Sequence, residues 1–324
     1  MERRNFIKKT MAAGTGIVMP LSLSAFDDLG KKAQVRLGMV ADVHQDIIHD
    51  GVSRLRYFME DMKARRPHAI LQLGDFALPR KRNQPFLDVW NSFEGPRYHV
   101  LGNHDMRDLG YTREQTMTWW QMKDRYYSFD LNGLHCIVLD GNDVNPKPWS
   151  GYDRYIAEEQ QQWLAHDLRN TQKPTLVFCH QSLESEGGIA NGSRIRAILE
   201  GAKIAKAQPK VIACFSGHHH TDYVKEINGI PYIQINSMSY KWVGDTYRYA
   251  RFAPHVEASY PTVSKTCPYR DPLYTVLTVD LEKGSLHLEG RETQFIPPSP
   301  GELNMPNADT MYPTITERNL NVAP

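Results

Sequence analysis

Short runs of β-branched and other hydrophobic residues recur along the first two thirds of the chain, and each run is followed by a polar cluster. Hydrophobic runs of four to six residues bounded by polar residues are typical of strands buried in a core. Such runs occupy residues 35–40, 69–73, 98–101, 135–139, 175–179 and 211–215.

Between several of these runs, the hydrophobic residues follow a helical period instead. In residues 157–168, for example, Trp163, Leu164 and Leu168 fall on one helical face. Alternation of strands with helices predicts an α/β fold. The predicted helices are residues 52–63, 86–90, 112–122, 157–168 and 193–207.

After residue 220 the pattern changes to strands joined by tight turns. Asn228-Gly229 is a typical hairpin turn between two such strands, and it indicates an antiparallel portion. Two packed sheets with helices outside would accommodate both halves of the chain, because each sheet has two faces to bury. The predicted strands are residues 223–227, 232–235, 274–279 and 285–288.

The composition is that of one large globular domain, 41% hydrophobic and nearly balanced in charge, with 38 Lys and Arg against 37 Asp and Glu. This balance gives no indication of a nucleic-acid polymer as partner. We predict a single domain over residues 26–293. Proline and asparagine accumulate from residue 294 onward, so residues 294–324 are predicted to be an irregular tail.

The first 25 residues look like a twin-arginine export signal, with Arg3 and Arg4 before an apolar run that ends in small residues near Ala25. An ordinary amphipathic first helix is the alternative interpretation. The apolar run is shorter than the roughly 20 residues of a membrane-spanning helix, and no other stretch is long enough. The segment predicts an exported, periplasmic protein.

Two disulfides would suit the four cysteines of an exported protein. However, Cys136, Cys179 and Cys214 each lie inside a predicted buried strand. We therefore predict free, packed cysteines, with Cys267 as the fourth.

Residues able to bind metal follow the predicted strands at the points where the strands end. These residues are Asp42, His44, Asp75, Asn103, His104, Asp105, His180, His218 and His220. In α/β folds, sites lie at the carboxyl ends of the strands, so five strands are expected to bring these side chains to one edge.

Spacing and residue type indicate which metal ions the site could bind. Asp42 and His44 are two residues apart, as are His218 and His220, so each pair can grip one ion from one side. Carboxylate and imidazole ligands without thiolate suit manganese, iron or zinc, and so many histidines argue against a plain magnesium or calcium site.

In order along the chain, these blocks are Asp42-Val43-His44, Gly74-Asp75, Gly102-Asn103-His104-Asp105, His180 and Gly217-His218-His219-His220. With them, the sequence resembles the calcineurin-like metallophosphoesterase family over roughly residues 35–240. Five blocks in order are a strong signal, although each alone would be weak. The resemblance implies a double β-sandwich flanked by helices, that is, a four-layer α/β fold.

The resemblance also implies a site with two metal ions. Asp42, His44 and His220 would hold one ion, Asn103, His180 and His218 the other, and Asp75 would bridge them. Two ions about 3.5–4 Å apart can share and activate a water, so that a metal-bridging hydroxide attacks a phosphate ester in line. His104 would then protonate the leaving oxygen, and Asp105 would orient the His104 ring.

Several other features have more than one interpretation. We expect His219 to point away from the metals and the remaining histidines to be ordinary packing or surface residues. Arg80-Lys81-Arg82 is interpreted as a solvated loop, or as a group that meets a second phosphate. The aromatic segments 141–155 and 239–260 could line a groove for a nucleobase or could simply be packing residues.

The predicted function is hydrolysis of a small phosphomonoester or phosphodiester, including nucleotides and cyclic nucleotides. The general arrangement looks most like the bacterial group that includes cyclic-nucleotide phosphodiesterases. A non-catalytic metal-binding scaffold of the same fold is the alternative, and it is disfavoured because no ligand position is vacant. A metal-dependent amidase or deaminase is also disfavoured, because such sites usually begin with a His-x-His pair.

Overall fold

The computed structural model of the protein describes residues 34–106, 110–147, 151–203 and 210–322. The predicted export segment, residues 1–25, lies outside the described residues and stays a prediction.

Sixteen strands and six α-helices occupy the described residues. The strands are β1 (Gln34–Val40), β2 (Ala69–Gln72), β3 (Arg97–His99), β4 (Tyr127–Leu131), β5 (Leu134–Leu139), β6 (Thr175–Cys179), β7 (Val211–Ser216), β8 (Tyr223–Ile227), β9 (Ile230–Gln234), β10 (Tyr240–Trp242), β11 (Thr266–Pro268), β12 (Thr275–Asp280), β13 (Ser285–Leu288), β14 (Arg291–Glu292), β15 (Thr314–Ile315) and β16 (Arg318–Asn321). The helices are α1 (Gly51–Arg65), α2 (Gln84–Asn91), α3 (Arg113–Trp120), α4 (Glu158–Asn170), α5 (Gly192–Gly201) and α6 (Pro254–Ser259).

Two six-stranded sheets form the centre of the molecule. The first sheet has the order β16-β13-β12-β1-β2-β3, and the second has the order β4-β5-β6-β7-β9-β8. Strands β1, β2 and β3 are parallel to one another, as are β5, β6, β7 and β9. The carboxyl ends of each parallel set therefore lie along one edge of its sheet.

Alternation of side chains along the strands builds a core on each face of each sheet. In β5, Cys136 and Val138 point into the core between the two sheets, whereas Ile137 and Leu139 pack against α4 and α5. Helices α1, α2 and α3 cover the outer face of the first sheet in the same way. The order of layers is helices, sheet, sheet, helices.

This architecture confirms the predicted α/β fold of two packed sheets flanked by helices. The tight turn predicted at Asn228-Gly229 joins β8 to β9, and both turn residues have positive φ. All four cysteines are free and buried, as predicted.

The structure differs from the prediction at the end of the chain. Strand β15 pairs with β14, and β16 pairs with β13 at the edge of the first sheet. The prediction of an irregular tail from residue 294 therefore does not hold for these two strands. In β16, pairing satisfies backbone groups that β13 would otherwise leave exposed.

Within the described ranges, no helix is long and apolar enough to cross a membrane.

Candidate metal centre

The predicted ligands meet where the carboxyl ends of strands from both sheets face each other. Asp42 and His44 follow β1, Asp75 follows β2, and Asn103 follows β3 after a short link. His180 follows β6, and His218 and His220 follow β7. The first sheet thus supplies the carboxylates and the amide, and the two sheets together supply the imidazoles.

Backbone hydrogen bonds hold the loops of the site to one another. The amide of Asp42 donates to the carbonyl of Gly74 (3.1 Å), and the amide of His44 donates to the carbonyl of Asp75 (2.9 Å). Between the two sheets, the amide of His218 donates to the Asp42 carboxylate at 2.9 and 3.1 Å. The positions of the ligands are therefore fixed by the backbone as well as by packing.

The ligand atoms fall into two groups. Those of Asp42, His44 and His220 lie within 4.8 Å of one another, and so do those of Asp75, His180 and His218. All of these side chains are buried except His218, which is partly buried. His218 and His220 fall in different groups, as the family resemblance implies, so the expectation from spacing that this pair holds one ion is wrong.

Asp75 lies between the two groups. Its Oδ2 is 3.2 Å from Nε2 of His180 and 3.5 Å from Nε2 of His44. A carboxylate in reach of one imidazole from each group is suited to bridging two ions.

The imidazoles of His180 and His220 present a lone pair to the site. Nδ1 of His180 lies 2.7 Å from the carbonyl of Leu73, and Nδ1 of His220 lies 2.8 Å from the carbonyl of Tyr240. A carbonyl only accepts, so Nδ1 is the protonated nitrogen and Nε2 is left as a metal ligand. Nε2 of His220 is 3.1 Å from Nε2 of His44, a proximity expected of two ligands of one ion.

An unpartnered polar atom also indicates that the site is built for metal. Oδ1 of Asn103 is buried without a hydrogen-bond partner among the described residues. A buried lone pair without a partner is costly, and coordination of a cation removes that cost. Residues present at the site therefore fit a pair of divalent ions, with Asn103 completing the second group.

Charge and burial set the protonation of these groups. Burial alone would raise the pKa of Asp75, but the nearby rings of His180, His104 and His44 hold that pKa well below its ordinary value. Burial lowers the pKa of His44 and His218 well below the ordinary value. Burial also lowers the pKa of His180, but the neighbouring Asp75 carboxylate outweighs it and raises that pKa to about 9. The centre therefore combines an ionised Asp75 with neutral imidazoles at His44 and His218, whereas a metal ion would have to displace a proton from His180.

The backbone at the site adopts an unusual conformation. Five of the seven ligands have positive φ, namely Asp42, His44, Asp75, His218 and His220. Such values are uncommon outside glycine, and they cluster where surrounding structure enforces them for function.

Asp105 supports two of the turns that bear ligands. Its carboxylate accepts hydrogen bonds from the backbone amides of Asp75 (2.8 Å), Phe76 (2.7 Å) and Gly102 (2.8 Å). These contacts position the loops after β2 and β3 relative to each other. The predicted effect of Asp105 on the ring of His104 stays a prediction.

His104 lies beside the candidate centre and is exposed. Its ring centroid is 5.2 Å from that of His44, and its backbone amide donates to Oδ1 of Asp75 at 2.8 Å. His104 lines a cavity of about 360 Å³ together with His44 and Asp75. An imidazole at this position can contact a ligand that enters the cavity.

Two tyrosines at the site were not singled out in the sequence as site residues. Tyr240 packs its ring 4.7 Å from that of His220 and 5.1 Å from that of His44. The Tyr152 hydroxyl lies 2.5 Å from Nε2 of His218. Both belong to the aromatic segments noted in the sequence, but only the fold reveals which of the aromatic residues reach the ligands.

The other histidines contact partners away from the centre. His219 lies 2.9 Å from Oγ of Ser182 and 3.0 Å from Oγ of Ser185. His99 accepts from the indole of Trp90, and His135 lies between two aspartates. Arg80 and Arg82, in contrast, line the same cavity as His104.

Curated proteins that are similar to this chain include two from plants. The chain is 23% identical over 248 residues to a manganese-dependent ADP-ribose/CDP-alcohol diphosphatase from Arabidopsis thaliana, a match that covers 56% of this chain and 79% of the relative. The corresponding protein from Oryza sativa subsp. japonica is 24% identical over 247 residues, covering 56% and 76%.

Solved structures with the same fold include a dimetal phosphatase from Danio rerio. It has a TM-score of 0.57 and 16% identity, and the match covers 81% of this chain and 98% of that one. GAP50, the anchor in the inner membrane complex of Plasmodium, has a TM-score of 0.55 and 16% identity, covering 90% of each chain.

The sequence model described as calcineurin-like phosphoesterase matches residues 35–222, which include every candidate ligand. These residues are more than half of the chain, and they contain both groups of ligand atoms. The protein belongs to the calcineurin-like phosphoesterase family.

Proposed function

We propose that this protein hydrolyses small phosphate esters at a centre of two divalent metal ions. Asp42, His44 and His220 would hold one ion, and the other would be held by Asn103, His180 and His218, with Asp75 shared. The observation that supports this most strongly is the convergence of two buried groups of ligand atoms on Asp75, beside the unpartnered Oδ1 of Asn103.

Two ions at this centre would supply an activated water and would neutralise charge on the phosphate oxygens. The residues of the chain would bind the substrate and donate a proton to the leaving group. His104 is placed at the mouth of the centre, where its imidazole can donate a proton to the leaving oxygen. Its backbone amide donates to Asp75 and its ring lies 5.2 Å from that of His44, so the imidazole is beside the proposed ligands.

The substrate class is a phosphomonoester or a phosphodiester, with nucleotides and cyclic nucleotides as candidates. A nucleoside diphosphate ester, cleaved at its phosphoanhydride bond, is a further candidate. The plant relatives are named as diphosphatases that depend on manganese, which makes manganese the first metal to test. A scaffold that binds metal without catalysis is disfavoured, because every predicted ligand and the proton donor are present.

The test is hydrolysis of nitrophenyl phosphate and bis-nitrophenyl phosphate by metal-free protein resupplied with manganese, iron or zinc. Asp75→Asn should lower kcat on the order of 100-fold or more, because a shared ligand is weakened. His104→Ala should lower kcat about 100- to 10,000-fold. The loss should be larger for a phenyl than for a nitrophenyl ester, since phenolate is the poorer leaving group.

His166→Ala is the matched control, because His166 is exposed on α4 and contacts Asn170 rather than the centre. It should leave hydrolysis unchanged. If the wild type binds metal but cleaves neither these esters nor a panel of nucleotides, hydrolysis is excluded and the scaffold hypothesis replaces it.

A further inference from the structure

The cavity beside the metal centre has a second charged wall. His44, Asp75 and His104 form one side, and Arg80 and Arg82 form another. A substrate held at the centre would therefore meet two guanidinium groups in the same 360 Å³ space.

The two arginines share one carboxylate. Asp46 lies 3.1 Å from Nη2 of Arg82 and 3.5 Å from Nη1 of Arg80. Asp46 also accepts from the amide of Leu78 (2.8 Å) and from the side chain of Asn83 (2.9 and 3.1 Å). One negative charge, partly satisfied by neutral donors, faces two positive charges, so this wall has a net charge of +1.

The guanidinium groups are held in place but remain accessible. Arg80 lies 5.6 Å from the ring of Tyr111, and Arg82 lies 5.7 Å from the ring of Tyr260. The side chain of Arg82 is 48% exposed and that of Arg80 is 24% exposed. An arginine that is anchored by a ring and a carboxylate has N–H groups left to donate to an anion.

Trp242 provides an aromatic surface in the same cavity. It ends strand β10, two residues after the buried Tyr240 that packs on His44 and His220. The Trp242 side chain lines the cavity and is 44% exposed. A half-exposed indole at the rim of a cavity is suited to stacking on a planar ring.

We propose that the cavity binds a ligand with two adjacent phosphates and a planar ring, that is, a nucleoside diphosphate or its ester. One phosphate would lie at the metal centre, the second would contact Arg80 and Arg82, and the base would stack on Trp242. The inference rests on the proposed function, because that function places the first phosphate.

Hydrolysis of such a ligand needs only water as the second reactant. Water adds to one phosphorus, the P–O bond to the bridging oxygen breaks, and a proton passes to the leaving phosphate. An ester of a nucleoside diphosphate gives two phosphate monoesters, and a nucleoside diphosphate itself gives one monoester and inorganic phosphate.

The test is calorimetric binding of methylene-bridged ADP, which resists hydrolysis, and of AMP to the manganese-loaded protein. Arg82→Gln should weaken binding of the diphosphate analogue about tenfold and change binding of AMP by about twofold or less. Lys81→Gln is the matched control. It removes the same charge from the same short turn, but Lys81 does not line the cavity.

Stacking is tested separately with methylene diphosphonate, which lacks a base. Trp242→Ala should weaken binding of methylene-bridged ADP about tenfold and leave that of methylene diphosphonate unchanged. Trp242→Phe, which retains a ring, should restore most of the affinity.

The inference is overturned if the wild type binds AMP as tightly as methylene-bridged ADP, or if Arg82→Gln and Lys81→Gln weaken both ligands by the same factor. The result that overturns this inference differs from the result that overturns the proposed function. Hydrolysis of bis-nitrophenyl phosphate by the same preparations tests the function, whereas the binding ratios test the second phosphate subsite.

Discussion

At the scale of single residues, the centre depends on close approach between loops that only glycine permits. A Cβ atom on Gly102 would lie 2.2 Å from Oδ1 of Asp75 and 2.3 Å from its backbone nitrogen. The backbone of Gly102 is itself ordinary, with φ −97°, so the requirement is one of space. The absent side chain lets the loop after β3 reach the bridging carboxylate.

Gly102→Ala should therefore displace Asp75. We expect manganese affinity to fall at least about tenfold and the free energy of unfolding of the metal-free protein to fall by about 1–3 kcal/mol. Calorimetric titration with manganese and urea unfolding measure the two effects.

Gly201→Ala is the control, since a Cβ at Gly201, the last residue of α5, would meet nothing within 4 Å. It should change stability by no more than about 0.5 kcal/mol and leave metal affinity unaltered. Equal effects of the two substitutions would contradict the steric account.

Much of the candidate centre could be predicted at this scale, because Asp42, Asp75 and the paired histidines follow predicted strands and match the ordered blocks of the family. Tyr240 and Tyr152 could not be identified in the same way. The role of Tyr240 depends on its backbone carbonyl, which bonds Nδ1 of His220, and on ring packing from a distant strand. Such contacts follow from the tertiary fold and leave no fixed spacing in the sequence.

At the scale of elements, the buried central strands were predicted to within two residues at each end, whereas two of the four edge strands of the large sheets, β4 and β16, were not predicted. Strand β6 is continuously hydrophobic and buried, so its pattern is unambiguous. Strand β4 is only partly buried over most of its length, and β16 alternates between partly buried and exposed residues. Strands of this kind bury little apolar surface, and β16 also pairs with β13, which is not its neighbour along the chain.

His135 on β5 contacts both β4 and α4, and it should make the free energy of unfolding depend on pH. From β5, its Nδ1 contacts Asp130 on β4 (2.9 Å) and its Nε2 contacts Asp167 on α4 (2.7 Å). Burial lowers the pKa of His135, but bonds to Asp167 and Asp130 outweigh it and raise the pKa above its ordinary value. Lys173, which pairs with Asp130, is the neighbouring cation.

A histidine whose pKa is raised by folding stabilises the fold fully below its unfolded pKa, about 6.5, and loses this contribution as pH rises through the folded pKa. His135→Gln should therefore cost more at pH 6 than at pH 9, by about 1 kcal/mol or less, since water partly screens the pair.

Urea unfolding of the wild type and the variant at both pH values measures the change in the free energy of unfolding. Groups that titrate in both proteins contribute equally to each, so their effect drops out of the difference. The control is His166→Gln, because His166 is exposed on α4 beside Asp167 but contacts Asn170. Its cost should be small at both pH values. A cost of His135→Gln that does not change with pH would contradict the charged interaction.

At the scale of the whole molecule, the metal centre lies across the junction of the two sheets. Asp42, Asp75 and Asn103 come from the first sheet, and His180, His218 and His220 come from the second. Packing between the sheets is apolar, and it brings ligand loops from both sheets within bonding distance. The core thus determines the distance between ligands that are up to 178 residues apart, as Asp42 and His220 are.

This arrangement explains why the two groups of ligands are coupled. Asp75 belongs to the first sheet, but its Oδ2 lies 3.2 Å from Nε2 of His180 of the second sheet. An ion in either group would affect the other through this carboxylate, so both ions should be needed for full activity.

The most direct measurement is hydrolysis of bis-nitrophenyl phosphate as manganese is added in known equivalents to metal-free protein. We predict that activity rises until about two ions are bound per chain and that Asp75→Asn requires far more manganese for less activity. Hydrolysis that survives complete removal of metal, or that reaches its maximum with a single bound ion, would contradict the two-ion account.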